Sequence, residues 1–209
     1  MSDVDLDGDV RQSDPDRWLS SRFVADPQTR ADLIALYAFE AELLAIPTRV
    51  TQPLLAEMRY VWWREQMDGV FAGAPRKGHP VLEALTEVAA RHGLERAPFD
   101  ALIEAHIGRV HGEAHDLDAF YVGPMQAGVR ILSGPGHEHR VVEAGRVWGL
   151  AQTGRAEEAR AARAGARAAL KGLPVEAFPA VVHATLTRPA ESEPVKRLRL
   201  ILASITGRL

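Results

Sequence analysis

Residues 30–47 read RADLIALYAFEAELLAIP, and this stretch decides the fold class. Leu33, Leu36, Tyr37, Leu43 and Leu44 recur at three- and four-residue spacings, the period of a helix with one buried face. Asp26-Pro27 just upstream reads as an N-cap followed by proline at the first helical position, and Pro47 reads as a stop. A helix over 27–46 is therefore expected. The same punctuation repeats outward. Asp14-Pro15 opens a helix through Trp18, Leu19 and Phe23. Gln52-Pro53 opens one over 53–72 carrying Leu54, Leu55, Met58, Val61, Trp62 and Met67, closed by Gly73 and Pro75. His79-Pro80 and Ala97-Pro98 open two more, the former capped by Gly93. Later helical segments fall near 117–133, 138–152, 155–171, 175–187 and 195–207, separated by Gly134-Pro135-Gly136, Gly172-Leu173-Pro174 and the 189–194 loop. Strand alternation is nowhere sustained. The expectation is a single all-α domain over 14–209, behind an acidic flexible tail at 1–13, with helices 27–46 and 53–72 antiparallel through Tyr37, Leu43, Met58 and Trp62.

Composition narrows the function classes. The chain has 209 residues, 46% hydrophobic and 25% charged, enough for one substantial core. It has no cysteine, which excludes a disulfide framework, a thiolate zinc site and a cysteine nucleophile. The net charge of −3 gives no overall basic footprint for nucleic acid. No apolar run is long enough to span a membrane, and the acidic MSDVDLDGDV start carries no secretory pattern, so a cytoplasmic protein, or one peripheral to a membrane, is expected. Charge is unevenly spread: residues 1–154 hold 15 Lys/Arg against 23 Asp/Glu, residues 155–209 hold 10 against 5. All twelve aspartates lie at or before Asp118.

Several local patterns bear on chemistry. Asp3, Asp5, Asp7 and Asp9 with Gly8 resemble the front of a calcium loop, but no helix can precede Asp3 and the twelfth position holds Asp14 instead of glutamate. His111 and His115, four apart, would share a helix face, and Asp116 and Asp118 could join them at a metal. The HGEAH string displaces the glutamate of a zinc-protease helix, however, and Gly112 weakens the helix. Arg160, Arg163, Arg167 and Lys171 form a basic stripe at helical spacing. In Trp62-Trp63 the side chains point about 100° apart on a helix, so one should be core and the other should line a pocket or interface.

Taken in order, RADLIALYAFEAELLAIP, EMRYVWWREQMDGVFAG, HPVLEAL, EAGRVWGLA and AALKGLPVEAFPAV resemble the squalene/phytoene synthase family. The resemblance implies the isoprenoid synthase fold, a helical bundle, here shortened in its C-terminal part. Enzymes of that family hold Mg²⁺ on two aspartate-rich motifs, because a departing diphosphate needs its charge neutralised by a cation with hard oxygen ligands. Aligned on Leu36-Tyr37-Ala38-Phe39, the first motif's aspartates fall at Leu44, Ala45 and Thr48. Near the family's Asp-Gly-Met-x-x-Asp-Leu stretch stand Glu104 and Arg109. The late Asp-x-x-x-Asp motif lies beyond Asp118, where no aspartate exists. FEAELLAI and the Arg59–Arg64 segment are closer to the non-catalytic branch related to a mitochondrial complex I assembly factor.

Three functions follow from these observations. The first is a transferase-like pseudoenzyme without catalytic residues, metal or cofactor, acting as a binding or assembly protein. Its expected ligand cavity is formed by Tyr37, Glu40, Leu44, Thr48, Trp62 and Glu104, and its expected partner or membrane surface by Trp63, Arg160, Arg163, Arg167 and Lys171. The second is a prenyl diphosphate transferase of the head-to-head type, with Mg²⁺ on unconventional ligands drawn from Glu40, Glu42 and Glu104. The third is a carrier of an apolar, lipid-like ligand.

Overall fold

The computed structural model describes residues 5–186 and 192–206. Helices α1 (Leu6–Ser13), α2 (Pro15–Ser21), α3 (Pro27–Arg49), α4 (Pro53–Phe71), α5 (Pro80–His92) and α6 (Ala97–Val110) form the first half. A π-helical turn (Asp118–Val122) leads into α7 (Gly123–Ser133). A 3-10 turn (Glu138–Val141) then precedes α8 (Val142–Gln152) and α9 (Ala156–Ala169). Two further 3-10 turns (Val175–Ala180 and Val182–Thr185) lead to α10 (Glu193–Thr206). No strand occurs among the described residues. The X-Pro starts hold at α2 to α6, each with proline in its first two positions. Asp14 and Asp26 cap α2 and α3 by accepting from the amides of Arg17 and Thr29.

Buried side chains fall into two clusters. One is built on α3 to α6 around Leu33, Leu36, Phe39, Leu43, Tyr60 and Met67. The other is built on α7 to α10 and the late turns, mostly from valine and alanine. Asp32 ties α5 to α3, since it is buried and accepts from Arg91 at 2.5 Å and His92 at 2.7 Å.

Four expectations are corrected. The acidic segment at residues 5–13 is not a flexible tail. Asp5 accepts from the Gly8 amide and starts α1, Val10 is fully buried, and Asp7 accepts from Trp18 Nε1 at 2.8 Å and pairs with Arg22 at 2.5 Å. Residues 1–4 of that tail and the stretch from 187 to 191, including the first half of the 189–194 loop, lie outside the described residues. Helix α3 does not stop at Pro47 but runs through it to Arg49. Proline removes the N–H that would bond the Leu43 carbonyl, and the buried Tyr60 hydroxyl donates to that carbonyl at 3.2 Å instead. This replacement donor, one helix away, is what the sequence rule could not see. The segment at 175–187 forms two 3-10 turns in place of a helix, with Pro179 inside the first. Met58 is also turned out to solvent, so α3 meets α4 through Leu43 and Tyr60 and through Phe39 and Trp63, not through Met58.

Candidate functional site

Helix α3 presents Tyr37, Glu40 and Leu44 at three- and four-residue spacing along one wall of a cavity of about 230 Å³. Helix α2 contributes Arg17, with its cap Asp14, and α6 contributes Leu102 and His106. The π-helical turn places Phe120 and Tyr121 in it, α8 places Trp148 and Gln152, and the last 3-10 turn places His183. Leu44 stands at the mouth, more than half exposed.

The floor of this cavity is charged. Arg17 is buried and donates to Asp14 at 2.5 Å and to Glu40 at 2.6 Å, with its guanidinium 4.7 Å from the Tyr37 ring centre. Asp14 at the start of α2 and Tyr37 and Glu40 on α3 therefore share one cation. Burial pushes the Glu40 carboxyl above its ordinary value against the pull of Arg17. Burial works in the same direction on Asp14, but there the Arg17 charge and the Arg17 amide outweigh it and hold the carboxyl below the usual range. Burial also raises the Tyr37 phenol. It lowers His183 to about 3 with Arg17 adding to the effect, and lowers His106 to about 4. His115 is lowered by burial and by Arg109.

Four buried polar atoms on this cavity have no hydrogen-bond partner in the protein: Tyr37 Oη, Glu40 Oε1, His183 Nδ1 and His115 Nε2. Tyr37, Glu40 and His183 are each at least 96% buried. Among side chains this well packed, unpaired polar atoms are uncommon, and their convergence on one space makes it the candidate site.

Of the residues expected to form a cavity, the structure brings together Tyr37, Glu40 and Leu44 only. Thr48 faces solvent, its hydroxyl donating to the Ala45 carbonyl at 2.8 Å. Glu104 lies on the outer surface, paired with Arg64. Trp62 lines a different feature, a groove of about 710 Å³ between α3 and α4, with Ile46, Val50, Leu55 and Met58 and three arginines, Arg49, Arg59 and Arg76. The expected outward Trp63 is the buried member of the pair, packed edge-on against Phe39 at 5.5 Å. The 100° divergence was right, but the two roles are exchanged because Trp63, one residue later, turns toward the α3 core. On α9, Arg160 and Arg167 are exposed and Arg163 is partly covered. Arg160 pairs with Glu157 at 3.0 Å, and neither Arg163 nor Arg167 is without a partner.

The histidine and aspartate cluster does not assemble either. Helix α6 ends at Val110, with Gly112 at φ +82°, so His111 and His115 share no helix face. His106 stacks on Tyr60 at 5.0 Å, Asp116 caps the amides of Asp118 and Ala119, and Asp118 grips Arg146 with both oxygens. Among the described residues, no three His, Asp or Glu side chains are gathered as metal ligands.

The cavity is also less apolar than the loss of aspartates at positions 44, 45 and 48 implied. Its polar floor comes from Arg17, Asp14 and His183, which the sequence did not connect with α3. Two signals for the missing wall were nevertheless present. Asp14 sits three residues before Arg17 as an N-cap. Gly145 and Gly149, one helical turn apart in EAGRVWGLA, allow α8 to approach the π-helical turn. A Cβ on Gly145 would stand 2.9 Å from Val122 Cα, and one on Gly149 2.5 Å from the Tyr121 ring. These glycines set the position of Tyr121 in the cavity.

The chain matches the squalene/phytoene synthase family model over residues 10–121, just over half its length. This protein belongs to the squalene/phytoene synthase family, and its all-α architecture is of the isoprenoid synthase kind. No curated protein and no solved structure gives a match. The matched span covers α2 to α6 and ends at Tyr121, inside the cavity wall. No helix among the described residues is long and apolar enough to cross a membrane.

Proposed function

We propose that this chain is a non-catalytic member of the squalene/phytoene synthase family that binds a ligand in the cavity between α2, α3, α6 and α8. One observation carries this reading: each carboxylate available to replace the missing aspartates has its own arginine, in a separate place. Glu40 is held by Arg17 in the interior, Glu42 by Arg49 and Glu104 by Arg64 on the surface. Magnesium needs several oxygens converging on one point. With Leu44, Ala45 and Thr48 at the aligned motif, the donor set present does not fit it. Removal of the metal also removes the group that would neutralise a departing diphosphate. Incubation with farnesyl or geranylgeranyl diphosphate and Mg²⁺ is expected to release no diphosphate above background. Turnover that disappears in Glu104→Ala or Glu40→Gln would establish the transferase reading instead.

A second reading, association with a protein partner, is favoured by the exposed Leu54, Leu55 and Met58 at the start of α4, beside the groove carrying Arg59 and Arg76, where Arg49 is paired with Glu42. An apolar floor with a basic rim suits an amphipathic acidic segment. Leu55→Asp combined with Met58→Asp would abolish recovery of such a partner while leaving the fold intact.

A further inference from the structure

We propose that the cavity between α2, α3, α6 and α8 takes an uncharged, hydroxyl-bearing molecule with a compact apolar body, its hydroxyl seated between Tyr37 Oη and Glu40 Oε1. This inference rests on the binding reading of the same site and names its ligand class. The two atoms are buried and unpartnered. A phenol has a proton to donate, and a carboxylate oxygen needs one to accept. A ligand hydroxyl does both at once, whereas a carbonyl or an ammonium satisfies one of the pair only.

Charge excludes the alternatives. The single Arg17 guanidinium is already shared by Asp14 and Glu40, so an anion such as a diphosphate would enter against an excess of carboxylate. A cation would meet the Arg17 guanidinium and give up its hydration in a space that disfavours charge. The side chains around it report that disfavour: burial drives His106, His183 and His115 toward their neutral forms and raises the Tyr37 phenol, while Glu40 is held as the partner of Arg17. Above the polar floor, Leu102, Met125, Phe120 and Trp148 supply an apolar enclosure. Its volume of about 230 Å³ exceeds the roughly 150 Å³ apolar cavity that accommodates benzene, so one ring or a short branched chain carrying a hydroxyl fits.

Four probes of one shape and different head groups test this: benzyl alcohol, toluene, benzylammonium and benzoate. Saturable binding is read by saturation-transfer NMR and by amide shifts of the full chain, and the position is read by crystals soaked in each. Benzyl alcohol should bind at least tenfold more tightly than each of the other three. Tyr37→Phe, whose hydroxyl has no partner to lose, should retain the wild-type unfolding midpoint. It should bring benzyl alcohol down to the toluene level, a loss of about tenfold. Glu40→Gln provides the matching loss if it folds, but Tyr37→Phe alone decides the question. Toluene or benzylammonium binding as tightly as the alcohol would overturn the proposal, as would ordered water alone in the cavity at millimolar benzyl alcohol. An alcohol-binding protein that also turns over prenyl diphosphates would refute the non-catalytic reading and leave the ligand class standing. A protein that does neither would refute the ligand class and leave the non-catalytic reading.

Discussion

The two halves of the molecule solve the packing problem differently. In the half that matches the family, long helices stand apart on large side chains: α3 runs for 23 residues and α4 for 19, with Phe39, Tyr60, Leu33 and Met67 fully enclosed between helices. In the other half, the helices are 11 to 14 residues long, and the core is valine, alanine and glycine backbone at close approach. The first arrangement announces itself in sequence, since bulky residues at helical spacing are its means of holding together. The second hides, because alanine and glycine carry little periodic signal. The cavity lies on the seam, with Tyr37 and Glu40 from one side and Trp148 and His183 from the other.

The largest effect is expected from removing the cation on the first half's side of that seam, where Arg17 ties α2 to α3. Arg17→Met would leave Glu40 buried without its partner and Asp14 without its charge. The expected loss is about 3–5 kcal/mol of unfolding free energy, from urea denaturation monitored by tryptophan fluorescence. A loss below about 1 kcal/mol would mean that α2 is not fastened to α3 through Arg17.

Within the second half, the decisive contact is backbone against backbone. Gly145→Ala would place a methyl 2.9 Å from Val122 Cα and 3.1 Å from the Tyr121 carbonyl oxygen, neither of which can rotate away. Overpacking of this kind costs about 1–3 kcal/mol. Gly165→Ala on α9, where nothing lies within 4 Å, is the control and should be neutral or slightly stabilising. The pair separates close approach from helix propensity in a thermal melt.

In the first half, Pro47 and Tyr60 form a testable pair. Tyr60→Phe leaves the buried Leu43 carbonyl without a donor and should cost about 1–2 kcal/mol. Pro47→Ala restores the missing backbone N–H, so the double variant should recover most of that loss, and the coupling is read from a double-mutant cycle. Additive effects would show that the Tyr60 hydroxyl does not replace the proline's lost bond.

These cases show where the sequence could be read and where it could not. The X-Pro starts and the bulky periodicity of α2 to α6 were legible because capping and first-turn proline are local rules. The stop assigned to Pro47 failed because its remedy, Tyr60, comes from another helix. The tail failed because alternating aspartates look disordered until Asp5 caps a helix and Trp18 and Arg22 engage Asp7. At the site, Tyr37, Glu40 and Leu44 were legible from α3 alone, whereas Arg17, Tyr121, Trp148 and His183 depend on long-range packing. Trp62 and Trp63 were correctly separated by helical geometry, but their assignment needed the direction of the core.

Acid exposes a smaller difference, since the buried imidazoles of the seam resist protonation. His106 packs on Tyr60 and Phe120, with His115 beside it and Glu40 across the cavity. Its folded value near 4 lies below the ordinary 6.5, so the unfolded chain takes up the proton first. Its contribution is complete above pH 6.5 and lost as pH falls toward 4, and His183, lowered to about 3, extends the window downward. Glu40 acts in the opposite sense, its raised value favouring the folded state as it protonates. His106→Phe keeps the ring stack and removes the titration. The acid-unfolding midpoint should move to lower pH, with little change in stability at pH 7.5. An unchanged midpoint would place the acid sensitivity elsewhere.

The smallest effect on stability is expected on α9, where the basic stripe lies outside both cores. Arg160 and Arg167 are exposed, and the Arg160–Glu157 pair is of the solvent-screened kind that contributes little. Reversal of both charges, Arg160→Glu with Arg167→Glu, should shift the unfolding free energy by no more than about 0.5 kcal/mol. Association is a different matter. If α9 rather than the α4 groove meets an anionic membrane surface, two reversals at about 1 kcal/mol per basic residue should lower sedimentation with phosphatidylserine vesicles by roughly tenfold or more. Neutral vesicles should show no difference between the two proteins. Sedimentation equal to wild type on anionic vesicles would remove α9 from the surfaces that act. The exposed start of α4 would then be the remaining external contact, and the cavity on the seam the remaining internal one.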